Sequence, residues 1–181
     1  CSSLDNVVVP DSVSSLDGVF SGCISLTSIT LPQGITSLNS TFSGCSSLTT
    51  VVIPNTVTEL NGTFSGCNEL NSVNIPNSVT IMGGGTFIDC WNLSVSLPNT
   101  VTTIGAYAFW HCPGIGSIPE SVTTIEDGAF VGSGLCTVNL PPTITEIGDF
   151  TFSECSRLQS VTIPDHVRSI GSYAFANCQF L

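Results

Sequence analysis

The sequence predicts a single β-solenoid, a chain wound into stacked coils, from three observations. Phenylalanine recurs at Phe20, Phe42, Phe64, Phe87, Phe109, Phe130, Phe152 and Phe175, at spacings of 21 to 23 residues. A fixed period of that length marks coils that bury their apolar face only against neighbouring coils. The second observation is the pattern Leu-x-x-Val/Ile-x-Ile/Leu-Pro after Cys23, Cys45, Cys67 and Cys155, as in Leu26, Ile29, Leu31 and Pro32, or Leu158, Val161, Ile163 and Pro164. Third, the repeat runs from 1 to 181 with no linker, charge run or shift in composition, which predicts one continuous domain of about eight coils.

Within a coil, the last two apolar positions of that pattern alternate with outward residues, the period of a short strand. Proline ends it, because it has no N–H for a ladder, and Pro-Asn/Asp-Ser/Thr at Pro54, Pro76, Pro98 and Pro164 reads as a turn with φ set by the ring. A second apolar pair follows, as Val57 and Leu60 or Val101 and Ile104, and reads as a second short strand or an extended arm. The stretch from there to Phe and Cys, as in Gly105-Ala106-Tyr107-Ala108-Phe109, is too short for an ordinary helix and reads as a turn or a 3₁₀ piece. With strands ~4.8 Å apart, eight coils make a rod of roughly 40 Å.

The period has local faults. Pro-to-Phe spacing is 10 residues in the first three coils and 11 afterwards. Phe-to-Pro is 12 residues after Phe20, Phe42, Phe64 and Phe152, 11 after Phe87 and Phe130, and 10 after Phe109. The segment Cys112-Pro113-Gly114-Ile115-Gly116-Ser117-Ile118-Pro119 is the most reduced, and a kink or change of curvature is expected there.

Composition narrows the function. Arg157 and Arg168 are the only basic residues apart from histidine, against 13 acids, for a net charge of −11, so nucleic acid and anionic lipid are not expected partners. Ser and Thr cover the exterior without charge. No apolar run approaches the roughly 20 residues needed to span a bilayer, and no membrane insertion is expected of this segment. Cys1-Ser2-Ser3-Leu4 and Cys178-Gln179-Phe180-Leu181 share the phase of Cys45-Ser46-Ser47-Leu48, so polar end caps are missing. The expectation is a segment of a longer chain, or ends covered by partners.

The pattern Val-Thr-x-Ile-Gly-x-x-Ala-Phe-x-x-Cys, carried by Val101 to Cys112 and by Val167 to Cys178, resembles the BspA-type class of leucine-rich repeats, and the resemblance covers the whole chain. It implies a leucine-rich-repeat solenoid: a right-handed coil with a parallel β-sheet on the concave face and short strand, turn or 3₁₀ segments on the convex side. It also implies a secreted or cell-surface protein associated with adhesion and binding, with no catalytic residues and no cofactor. Departures are the shorter Leu16-to-Phe20 segment of the early coils and Ser133 in the place of the column cysteine.

Nine cysteines invite a disulfide reading. Cys23, Cys45, Cys67, Cys90, Cys112, Cys155 and Cys178 each sit three residues after a column Phe, and Cys1 shares their phase. Side chains projecting in parallel do not converge to the ~3.8 Å Cβ separation of a disulfide, so a buried free-thiol ladder is expected. Cys136 lies off this column, in the outward place of Thr49, and is the expected exposed thiol. No Cys-x-x-Cys or His cluster suggests zinc, and His111 beside Cys112 lacks an orienting acid at a defined offset.

Three glycosylation sequons occur, at Asn39, Asn61 and Asn92, the first two in the same place of successive coils. Chance sequons are common in so Ser/Thr-rich a chain. The outward column Thr36, Thr58, Thr80, Thr102, Thr123 and Thr145 fits β-propensity, O-linked sugar, ice contact or lateral packing. On the first strand the outward columns read Asn6, Ser28, Thr50, Ser72, Ser94, Ser117, Thr137, Ser160 and Val8, Thr30, Val52, Asn74, Ser96, Asn139, Thr162. Neither holds an aromatic or a charge, which makes that face poor in binding anchors. The leading expectation is a non-enzymatic extracellular or cell-surface protein acting in adhesion or recognition of a protein or glycan. The alternative is the structural core of a glycosylated filament or surface layer, with coils associating end to end and covalent glycans outside.

Overall fold

A computed structural model describes residues 3–5 and 7–181 of the chain; Cys1 and Asn6 lie outside them. In chain order the strands are β1 (Ser28–Ile29), β2 (Thr50–Val52), β3 (Glu59–Leu60), β4 (Ser72–Asn74), β5 (Ile81–Met82), β6 (Ser94–Val95), β7 (Thr103–Ile104), β8 (Gly114–Ile115), β9 (Thr124–Ile125), β10 (Thr137–Asn139), β11 (Glu146–Ile147), β12 (Ser160–Thr162) and β13 (Ser169–Ile170). All pairings are parallel, and among the described residues there is no helix. The protein is a parallel β-solenoid.

Each coil has three sides. The first carries the strands before the prolines, in the order β1-β2-β4-β6-β8 and then β10-β12. The second carries the arm after the proline turn, as strands β3-β5-β7-β9 and then β11-β13. The Pro turns close as expected: the Val57 amide donates to the Pro54 carbonyl at 3.1 Å and Val101 to Pro98 at 3.1 Å. The third side is a run of turns around the column Phe, not a 3₁₀ helix. Its i→i+3 bonds, such as Cys23 amide to Phe20 carbonyl at 3.0 Å, are interrupted by left-handed residues two before and two after each Phe. Those positions are Gly18, Ser40, Gly62, Gly85, Tyr107, Gly128, Phe150 and Tyr173, and Gly22, Gly44, Gly66, Asp89, His111, Gly132, Glu154 and Asn177, with φ between 51° and 73°. A helix of L-residues cannot continue through them. Amides of this edge donate to the next coil, as Phe20 to Thr41 at 3.1 Å and Phe42 to Thr63 at 3.0 Å, giving a third ladder.

The core lies inside the three sides. Eight phenylalanines from Phe20 to Phe175 stack in one column, centroids 5.5 to 6.1 Å apart. Leucines Leu26, Leu48, Leu70, Leu93, Leu135 and Leu158 form a second buried column.

Both strand ladders break at the same place. β8 does not pair with β10, nor β9 with β11, whereas the Phe stack and the turn edge run through: Phe109 donates to Ala129 at 2.8 Å and His111 to Val131 at 2.9 Å. The cause is legible in Cys112 to Pro119. This coil has no leucine between its cysteine and its strand, and two residues, Gly116 and Ser117, separate the inward Ile115 and Ile118 where other coils have one. The register pairs Ser94 with Gly114, so Ser117 does not join the outward column of Ser28 and Thr50, where the same offset from its column Phe, Phe109, would place it. Two glycines accommodate the shortcut. A Cβ on Gly114 would lie 2.1 Å from the Leu93 carbonyl oxygen, and one on Gly134 only 1.8 Å from that of Pro113.

Candidate recognition surface

The outward residues of the first sheet are exposed and uncharged, among them Thr50, Ser72, Asn74, Ser94, Thr137, Asn139, Ser160 and Thr162. Aromatic side chains gather elsewhere, on the turn edge of the later coils. Trp91, Tyr107, Trp110, Phe150 and Tyr173 each leave 36% to 67% of their surface in solvent, and they include both tryptophans and both tyrosines of the chain. An apolar residue this large is ordinarily buried or engaged, and Trp and Tyr are the residues that dominate binding surfaces.

The strip has two parts. In the first, the Trp91 ring stacks on His111 with centroids 4.7 Å apart, and Trp110 lies tilted against both His111 at 5.3 Å and Tyr107 at 5.4 Å. Trp110 Nε1–H donates to His111 Nε2 at 3.1 Å, and His111 Nδ1 lies 2.9 Å from Asp89 Oδ1. An indole nitrogen can only donate, so the imidazole carries its proton on Nδ1 and donates it to Asp89. This chain of bonds fixes the ring of Trp110 across the edge. In the second part Phe150 and Tyr173 stack, with centroids 5.2 Å apart and planes 13° from parallel. Gly128 takes the place in the column between Tyr107 and Phe150. The Tyr107 ring leans over it, since a Cβ on Gly128 would lie 2.4 Å from Tyr107 Cε1. The result is a cleft of about 340 Å³ lined by the rings of Tyr107, Trp110, Phe150 and Tyr173, by the buried Val131 and Ser153, and by the exposed Glu154 and Asn177.

The other residues singled out in the sequence are spread along the rod. Asn61 and Asn92 are exposed and Asn39 is half-buried. The Asn39 backbone amide donates to Asp17 Oδ1 at 2.8 Å, and Asn92 Nδ2 donates to the Asn68 carbonyl at 3.0 Å. The sequon threonines Thr41 and Thr63 are buried, and Thr41 Oγ1 donates to the Leu16 carbonyl at 3.0 Å, so the coil itself uses a threonine there. Thr36, Thr58, Thr80, Thr102, Thr123 and Thr145 are all exposed. The hydroxyls of Thr36, Thr102 and Thr123 each turn back 3.2 Å to the carbonyl of Ser14, Thr80 and Thr102 in the coil before. The ladder break falls inside this column, between Thr123 and Thr145.

Cys23, Cys45, Cys67, Cys90, Cys112, Cys155 and Cys178 are free thiols in one column, and Cys136 is free and exposed. Five of the column thiols donate to the phenylalanine carbonyl of the coil before, as Cys45 Sγ to Phe20 at 3.0 Å and Cys67 Sγ to Phe42 at 3.1 Å. Burial pushes the Cys45 thiol up to about 11 and Cys112 up to about 12, and drives Cys67 and Cys90 upward as well. Such thiols are neither nucleophiles nor metal ligands near neutral pH. Ser133, in the cysteine place, lies 3.4 Å from Cys155 Sγ and keeps the column polar at that rung.

The sequence profile described as BspA type leucine-rich repeat region matches this chain in six copies, over residues 1–116 and 115–181. Among solved structures the chain is similar to a leucine-rich repeat protein of T. pallidum, with 27% identity and a TM-score of 0.68, over 97% of this chain and 77% of that one. It is also similar to a leucine-rich repeat protein of Bacteroides ovatus, with 23% identity and a TM-score of 0.53, over 98% of this chain and 65% of that one. No curated protein matches it in sequence.

Proposed function

We propose, from the fact that this chain belongs to the BspA-type leucine-rich repeat family, that it is a non-enzymatic recognition rod acting in adhesion at the cell surface or outside the cell. The family and its fold are typically non-catalytic. The observation that carries the reading is the exposed aromatic strip of Trp91, Tyr107, Trp110, Phe150 and Tyr173 along the turn edge of the rod. Aromatic anchors bind at low conformational cost, and contacts repeated along a rigid rod add up when several engage at once.

The test is binding of the whole chain, fluorescently labelled, to immobilised extracellular-matrix proteins and cell-surface glycans. Saturable binding that falls when Trp91 and Trp110 are both replaced by alanine supports recognition through the strip. A chain that binds no member of either panel ends the reading.

A further inference from the structure

We infer that the cleft between the Tyr107–Trp110 pair and the Phe150–Tyr173 stack is a glycan site that takes an uncharged pyranose ring, a proposal that rests on the recognition reading and gives it a ligand class. Conformation supplies the first argument. The position two residues before each column Phe is left-handed in every coil, and it is Gly18, Gly62, Gly85 and Gly128 in four of them. An L-residue there costs roughly 1–2 kcal/mol. Tyr107, Phe150 and Tyr173 meet that cost without filling the core, since all three are exposed. Non-glycine residues held in such a conformation cluster at ligand clamps and other functional sites.

Shape and chemistry supply the second. Gly128 leaves room for the Tyr107 ring to lean over it, and the cleft between the Tyr107–Trp110 pair and the Phe150–Tyr173 stack holds about 340 Å³, the size of a small-ligand site. Its lining combines four aromatic rings with two exposed polar residues, Glu154 and Asn177. A pyranose matches that combination: a C–H face that packs on aromatic rings and a rim of hydroxyls that donate to a carboxylate and exchange bonds with an amide. Glu154 and the net charge of −11 disfavour sugars bearing carboxylate or sulfate.

Backbone bonding separates a sugar from a peptide strand. The amides along the cleft are already committed to the turn-edge ladder: Gly132 donates to Ser153 at 2.8 Å, Phe152 to Ala174 at 2.8 Å and Glu154 to Ala176 at 2.7 Å. An extended peptide lying over these rungs would find no donor row to pair with; among the described residues of this edge the open ladder donors are those of Tyr173, Phe175 and Asn177, in the coil beyond them.

The experiment prints neutral gluco-, galacto- and mannopyranosyl oligosaccharides as an array, probes it with the whole chain, and titrates the best-retained oligosaccharide in solution against tryptophan fluorescence. Phe150→Gly is the informative variant, because glycine suits the local backbone. The expectation is retention of at least one neutral oligosaccharide, a loss of about tenfold or more in affinity for Phe150→Gly with an unchanged or higher Tm, and affinity within about threefold of wild type for Phe150→Tyr. Three results overturn the proposal: an empty array, binding by Phe150→Gly equal to wild type, or a cleft that captures only protein from the matrix panel. An empty array with matrix proteins still bound removes the glycan site and leaves recognition standing, whereas failure on both panels removes both.

Discussion

Thr63 and its equivalents in neighbouring coils make different bonds in the same place. Thr41 Oγ1 donates to Leu16 and Thr86 Oγ1 to Leu60 at 2.8 Å, whereas Thr63 Oγ1, equally buried, has no partner among the described residues. A buried hydroxyl left unpaired costs about 1–3 kcal/mol, while one well paired contributes about 1. Thr63→Val is therefore expected to raise the denaturant midpoint of unglycosylated protein, and Thr41→Val to lower it through a loss of about 1 kcal/mol in stability; the reverse order in urea melts would contradict the bonding described. The thiol column behaves as a second set. Cys45 is raised from 9.0 to about 11 by burial, so the folded chain holds this proton after the unfolded chain has released it. The contribution of Cys45 to folding stability is whole below pH about 9.0 and is lost as pH rises towards about 11. Alkaline urea melts check the sign, and iodoacetamide with mass spectrometry at pH below that window is expected to label Cys136 well ahead of Cys45, Cys67 and Cys90.

Strands of two or three residues have too few ladder bonds to persist alone, and the stacked phenylalanines hold them. Phe87 is fully buried and packs face to face on Phe64 at 5.5 Å and Phe109 at 5.6 Å. Phe87→Ala is expected to cost about 3–5 kcal/mol, the usual loss when a buried ring leaves a cavity, measurable as a lower urea midpoint. The short coil depends on a different feature. Gly134 lies where any side chain would enter the Pro113 carbonyl, so Gly134→Ala forces the two coils apart. The expected loss is at least 1–3 kcal/mol, the range for overpacking, against almost none for Gly116→Ala, whose Cβ would meet open space. Equal effects of the two would mean that the close approach at Gly134 is not needed.

At the scale of the whole rod, two strand ladders stop between β8 and β10 and between β9 and β11, while the turn edge, the Phe stack and a hydrogen bond from Thr143 Oγ1 to the Val122 carbonyl still tie the halves together. Clefts of about 340 Å³ open on both sides of the break, one lined by Ser117, Pro119, Thr137 and Asn139 and the other by Thr124, Glu126 and Glu146. Hydrogen exchange is expected to be faster in β9 and β10, strands with one unpaired edge, than in β4 and β5, paired on both. Uniform protection across all four would argue for continuous ladders. Much of this architecture was legible in the chain: the spacing of Phe and Cys, the strand pattern and the proline turns are local periodicities, and a solenoid is the sum of local coils. The short coil was legible as a fault, but not its register, because the missing leucine brings the strand closer to Phe109 and so misplaces Ser117 when one counts on from that Phe. The aromatic strip was not read, although its signal was present: both tryptophans and both tyrosines lie within two residues of a column Phe or directly after a column Cys. The sequence by itself determined the repeat, the core columns and the free thiols, because each follows from which residue recurs at which phase. Only the tertiary structure decided which edge carries the aromatics and where the ladders part. Those depend on the direction a left-handed residue throws its side chain and on contacts between residues more than twenty apart in the chain, which no single coil contains.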